Sequence, residues 1–147
     1  IHDEVEEKFQ MLQGSNQIHS KITEMTDSYN DEFLILGSEK DYLKLYHGDF
    51  LESFVKSKQS FRLLSACSDK TAYIFDDLER KNVKKLNKDI ENHLCFILKD
   101  NGEMLFFTKN ANSTEELFAM WTNSKSMVYS MKLLFESLWT SSKNIHL

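Results

Sequence analysis

The chain has 147 residues and a mass of 17.3 kDa, enough for one domain with a core and too short for a second of ordinary size. Hydrophobic residues at 41%, aromatics at 12% and charged residues at 28% exclude a disordered or low-complexity chain. The net charge of -5 is carried by residues 1–31, with seven acids against two lysines, so that segment lacks the basic stripe needed to grip a nucleic-acid backbone.

Residues 1–30 place Ile1, Val5, Phe9 and Leu12, then Ile18, Ile22, Met25 and Tyr29, at helical spacing on either side of Gly14-Ser15-Asn16. This predicts one long helix, kinked at the glycine. Met11, Ile18 and Met25 fall seven apart, with Ile22 and Tyr29 four residues after the latter two. That is the spacing of a short coiled-coil seam, and it nominates these five as a dimerisation face; packing on the chain's own domain is the alternative. Glu32–Gly37 is a short apolar run, the mark of a strand buried on both faces. Asp41–Lys58 reads as a helix, Phe61–Cys67 as a second buried strand and Lys70–Ile90 as mostly helix. The third strand is His93-Leu94-Cys95-Phe96-Ile97-Leu98-Lys99-Asp100. Asp100-Asn101-Gly102 then predicts a hairpin into Glu103–Thr108, because Asn-Gly suits the positive backbone angles of a tight turn. Leu117–Trp121 is a fifth strand, and Lys125–Ser142 a closing helix with Val128, Met131, Leu134, Phe135, Leu138 and Trp139 on one face. The fold class this implies is α/β: a mixed, mostly parallel sheet of about five strands flanked by helices and preceded by a long N-terminal helix, with residues 1–30 as connector and 31–147 as the domain proper.

No apolar run reaches the roughly 18 residues that span a bilayer, and Cys67 and Cys95 form neither a close pair nor a metal-ligand spacing. A reducing, cytoplasmic setting without membrane contact, structural metal or cofactor is the expectation. His93 and Cys95 share one face of their strand, as a nucleophile and its base would. Against that, a cysteine in mid-strand between Leu94 and Phe96 is ordinarily an inert core residue, so no catalytic residue is assigned. Arg80, Lys81, Lys84, Lys85 and Lys88 form a basic cluster on the predicted helix and read as a solvated face.

His93, Cys95 two residues on and Asp100 seven on keep the register of a phospholipase D half-site, which runs His, any residue, Lys, four residues, Asp, with a Gly-Ser and an Asn in the next strand. Here Cys95 stands at the lysine and Phe107-Thr108-Lys109-Asn110 stands roughly at the Gly-Ser and Asn. The missing lysine removes the cation that would hold a phosphate, and the phenylalanine fills the approach to it. Leu34–Asp41 with Leu45–Leu51, and Ala119–Ser126 with Leu134–Trp139, extend the similarity. Together they resemble the C-terminal effector domain of archaeal TrmB-like transcriptional regulators, a degenerate phospholipase D-like domain also found as an input module of archaeal sensor histidine kinases. The resemblance runs from about Glu32 to Trp139. It implies a non-catalytic sensor or effector domain that forms a homodimer through the first helix. The domain would bind a small ligand such as a sugar or other metabolite, and would reach DNA only through a winged helix absent from these 147 residues. A sensor kinase input domain and a phosphodiester hydrolase using His93 are the alternatives.

Ligands in open α/β sheets sit beyond the carboxyl ends of the parallel strands. Ser38 and Glu39 after the first strand, Ser65 at the second, His93, and Thr122-Asn123-Ser124 before the closing helix are therefore the candidate ligand residues. For Asn123 or Ser124 helix capping is the competing role, for His93 a structural one, and for Asp100 a turn role.

Overall fold

Every residue from Phe33 to Gly37 is buried, as an unbroken apolar run demands when both faces of a strand are covered. The computed structural model describes residues 6–26, 32–37, 60–65, 80–86, 94–99, 102–108 and 118–144. In chain order these form β1 (Phe9–Gln13), α1 (Ser15–Thr26), β2 (Glu32–Gly37), β3 (Ser60–Ser65), a 3₁₀ turn (Arg80–Asn82), β4 (Val83–Lys85), β5 (Phe96–Lys99), β6 (Glu103–Phe107), β7 (Phe118–Thr122), α2 (Lys125–Ser141) and β8 (Lys143–Asn144). The predicted helix Asp41–Lys58 lies outside the described residues.

All of these strands join one eight-stranded sheet in the order β1-β7-β6-β5-β2-β3-β4-β8. Only β2–β3 and β3–β4 are parallel. The other pairings are antiparallel, so the sheet is mostly antiparallel and wider than the sequence suggested. Alternation divides the core in two. Phe33, Ile35, Leu63, Ile97, Leu105 and Ala119 turn to α1, while Leu34, Leu36, Leu64, Phe96, Leu98 and Met104 turn to α2.

The long first helix is not formed. Phe9–Gln13 is a strand paired with β7, and the turn into α1 is made at Gly14, whose φ of 85° only glycine adopts without strain. Ile18, Ile22 and Met25 are each no more than 2% exposed and pack on the sheet, whereas Met11 stands 63% exposed on β1. The seven-residue spacing therefore serves the chain's own core, and no continuous seam joins these residues; Tyr29 lies outside the described residues. The predicted helix Lys70–Ile90 is likewise interrupted by β4, so Lys84 and Lys85 of the basic cluster sit on a strand beside β3. The hairpin between β5 and β6 is as predicted in kind. Its closing pair is Lys99↔Glu103, and Gly102 beside it has φ 128° and donates its N–H to the Lys99 carbonyl at 3.0 Å. Among the described residues no helix is long and apolar enough to cross a membrane.

Candidate functional site

Strand direction decides which candidate residues can meet. β2 and β3 run one way, and β5 and β7 run the other. Gly37, Ser65, Cys95 and Phe107 consequently share one end of the sheet, while Thr122 lies at the opposite end in the row Thr122, Met104, Leu98, Leu34, Arg62. Four strand spacings across and three residues along separate Thr122 from Ser65 by about 20 Å. A single pocket combining Ser65 with Thr122-Asn123-Ser124 is therefore not formed. Ser38, Glu39 and His93 lie outside the described residues, although Gly37 and Leu94, their described neighbours, are at the Ser65 end.

At that end Cys95 and Phe107 belong to a packed core. Cys95 is 3% exposed and Phe107 5%, both in the cluster beneath α1. Phe107 donates its N–H to the Cys95 carbonyl at 2.9 Å, so the two residues are direct neighbours on adjacent strands. Ala119, fully buried, pairs with Phe107 on the next strand. Ser65 is also fully buried, and its carbonyl accepts the Leu86 N–H at 3.0 Å.

At the other end, Thr122, Asn123 and Ser124 are occupied by the chain itself. The Thr122 hydroxyl donates to the Lys8 carbonyl at 2.8 Å and accepts the Ser124 N–H at 3.0 Å. The Asn123 side chain accepts the Lys8 N–H at 2.7 Å and donates to the Glu6 carbonyl at 3.0 Å. These bonds fasten the segment leading into β1 to the start of α2. Ser124 holds the N-cap position without a side-chain cap bond; its hydroxyl sits 3.4 Å from that of Ser126.

Two charged clusters were not foreseen from sequence. Arg62 on β3 donates its Nε to Glu32 Oε1 at 2.5 Å and its two terminal nitrogens to the Glu136 carboxylate of α2, in a bidentate pair. Its guanidinium carbon lies 5.5 Å from the Phe135 ring centre and 5.3 Å from that of Trp139. Lys84 caps the Trp139 ring at 4.7 Å and donates to the Trp139 carbonyl at 3.0 Å. The hydrogen bonding to Glu136, aided by that to Glu32, raises the Arg62 pKa above the ordinary arginine value despite the opposing effect of partial burial. Beneath α1, Lys99 is 3% exposed and donates to Glu103 Oε2 at 3.2 Å, while Trp121 donates its indole N–H to the other oxygen at 3.1 Å. Lys21 of α1 covers the Trp121 ring at 4.3 Å. An arginine within an apolar strand and a lysine flanking an Asn-Gly turn were the available signals for these clusters. Among the described residues no three His, Cys, Asp or Glu side chains gather as a metal site.

The architecture has known counterparts. The phospholipase D family member Nuc from Salmonella typhimurium matches with a TM-score of 0.72 at 11% identity, covering 97% of this chain and 100% of that one. The fold is phospholipase D-like. Two further solved structures match over nearly the whole chain. TrmBL2, described as an archaeal chromatin protein with a novel mode of DNA binding, matches with a TM-score of 0.69 at 16% identity, over 99% of this chain and 57% of its own. NucT from Helicobacter pylori matches at 0.67 and 10% identity, over 95% of this chain and 100% of its own. No protein-family model and no curated protein matches the sequence.

Proposed function

We propose that this phospholipase D-like domain is a non-catalytic sensor or effector module of a TrmB-like transcriptional regulator, relaying a ligand-dependent state to a DNA-binding domain outside these residues. The observation that carries the reading is the pairing of Cys95 with Phe107. At the two positions where a phosphodiesterase of this fold needs a lysine and a small Gly-Ser, this chain has a buried thiol and a buried ring in one apolar cluster. A phosphate there would be desolvated among apolar side chains, with no cation in the described cluster to meet it. The likeness to TrmBL2 over nearly the whole of this chain and just over half of that one supports a regulatory context.

Turnover of a chromogenic phosphodiester by the wild type and by His93→Ala tests the non-catalytic part. Equal, background-level rates are expected; turnover lost on substitution overturns it. Gene sequence on the amino side of Ile1 tests the context: a winged helix is expected, and a kinase core following Leu147 would make the domain a sensor kinase input instead.

A further inference from the structure

The outermost described strand on one side of the sheet is β1. Gln13 turns its N–H away from β7 to Gln17 Oε1 at 3.0 Å. On β7 the Phe118 carbonyl turns the other way, to the Thr108 N–H at 3.0 Å. Peptide groups alternate along a strand, so Ala119 and Trp121 bond Leu12 and Gln10, and Phe9 and Met11 direct their peptide groups to the open side. Their side chains are 54% and 63% exposed and share a sheet face with Phe118, itself 38% exposed. An edge of this kind, with exposed apolar residues and no proline or inward charge, is a template for another strand.

We propose that two copies of this chain pair through β1, antiparallel, about a two-fold axis passing between their Gln10 residues. In this register Phe9 of each copy lies opposite Met11 of the other, so the two most exposed apolar side chains of the strand cover each other in thioether–ring contacts. Gln13 stays outside the new ladder, as the Gln17 bond to its N–H requires; centring the axis on Met11 would instead set Gln13 against Phe9 with that N–H already taken. The charges agree with this arrangement. Phe9–Gln13 carries none, so no like charges face each other along the paired strands themselves, although the chain's excess acid lies in the flanking residues. Glu7 of one copy comes opposite Gln13 of the other and Glu6 opposite Gly14, at the start of α1. That helix has no acidic residue in its first turn, and its positive dipole end gains the Glu6 carboxylate, which alternation puts on the α1 side of the sheet. A groove of about 550 Å³ already runs beside this edge, walled by Gln10, Met11 and Leu12 on one side and Gln17, Lys21 and Glu24 on the other. The interface is independent of whether the domain senses a ligand.

Sedimentation of the full chain is expected to give twice 17.3 kDa. Gln10→Cys, made with Cys67→Ser, is expected to form an intermolecular disulfide on mild oxidation, because facing residues of a non-hydrogen-bonded pair have Cα atoms about 4.5 Å apart. Gln13→Cys in the same background is expected not to cross-link. Met11→Lys, at an exposed position that leaves the circular dichroism spectrum intact, is expected to weaken the dimer at least about tenfold. A monomer at all concentrations overturns the proposal. So does a dimer that fails to cross-link through position 10 or is indifferent to Met11→Lys, since it would form through another surface.

Discussion

Arg62 shows how one side chain can hold a helix to a sheet. It reaches two carboxylates, one on the neighbouring strand β2 and one on α2, and lies against two rings of that helix. Its side chain keeps 21% exposure, so solvent screens part of the attraction. Arg62→Ala removes the guanidinium that Glu32 and Glu136 share across the helix–sheet junction, and chemical denaturation is expected to show a loss of about 2 kcal/mol. Arg62→Lys recovers only part of that, because an ammonium cannot bond Glu136 in bidentate fashion while reaching Glu32. The folded pKa of Arg62 is raised, so its contribution is fully present below the unfolded value and is lost only as pH climbs through the folded one. The arginine's share of the deficit is thus the same at pH 6 and pH 8; a deficit that changes between them would place the titrating group elsewhere.

At the scale of elements, the two halves of the first segment differ in what they support. Ile22 lies 2% exposed between α1 and the sheet, and Met11 stands on an open edge. Ile22→Ala is expected to destabilise the fold by about 3 kcal/mol, and Met11→Ala to change the stability of the dissociated chain by less than about 0.5 kcal/mol. Equal effects, read from denaturant midpoints, would contradict this placement. The same contrast explains what was legible beforehand. β2, β5, the Asn-Gly hairpin and α2 were readable because buried runs and a broad apolar face leave unambiguous periods. β1 was read as helix because Phe9 and Met11 are apolar on its outer face as Leu12 is on its inner one, which erased the alternation. β4 has three residues, and Val83 with Leu86 satisfies helical spacing equally well. Of the candidate ligand residues, Thr122 and Asn123 spend their side chains on the segment leading into β1. The partners of Thr122 and Asn123, Lys8 and Glu6, lie more than a hundred positions away, and no local pattern announces such a contact. Without the direction of β7, moreover, nothing in the sequence says which end of the sheet they occupy.

For the whole molecule, burial sets an order of local stability. β2 and β3 lie inside the sheet with helix-facing cores on both sides, whereas β8 is a two-residue edge. Native-state hydrogen exchange is expected to find the amides of Leu34–Leu36, Leu63–Leu64 and Ile97–Leu98 exchanging only through global opening, and those of β8 through fraying. Early exchange across β2 would refute that hierarchy. The sheet end that holds Cys95 and Phe107 belongs to the protected part, since both lie in the same cluster as Phe33 and Ile35.

The pairing of β1 with β7 bears on how the chain reaches this state. Phe9 meets Thr122 and Gln13 meets Phe118, so the first strand finds its neighbour only after more than a hundred further residues exist. On a ribosome it must wait, uncharged and apolar on both faces, while the interior strands assemble. Closing so large a loop is slow, which puts folding nearer the millisecond-to-second regime of sheet-rich topologies than that of helical bundles. During that delay the strand is open to capture by another nascent chain, so expression at high density should favour intermolecular misassembly unless the first segment is shielded during synthesis.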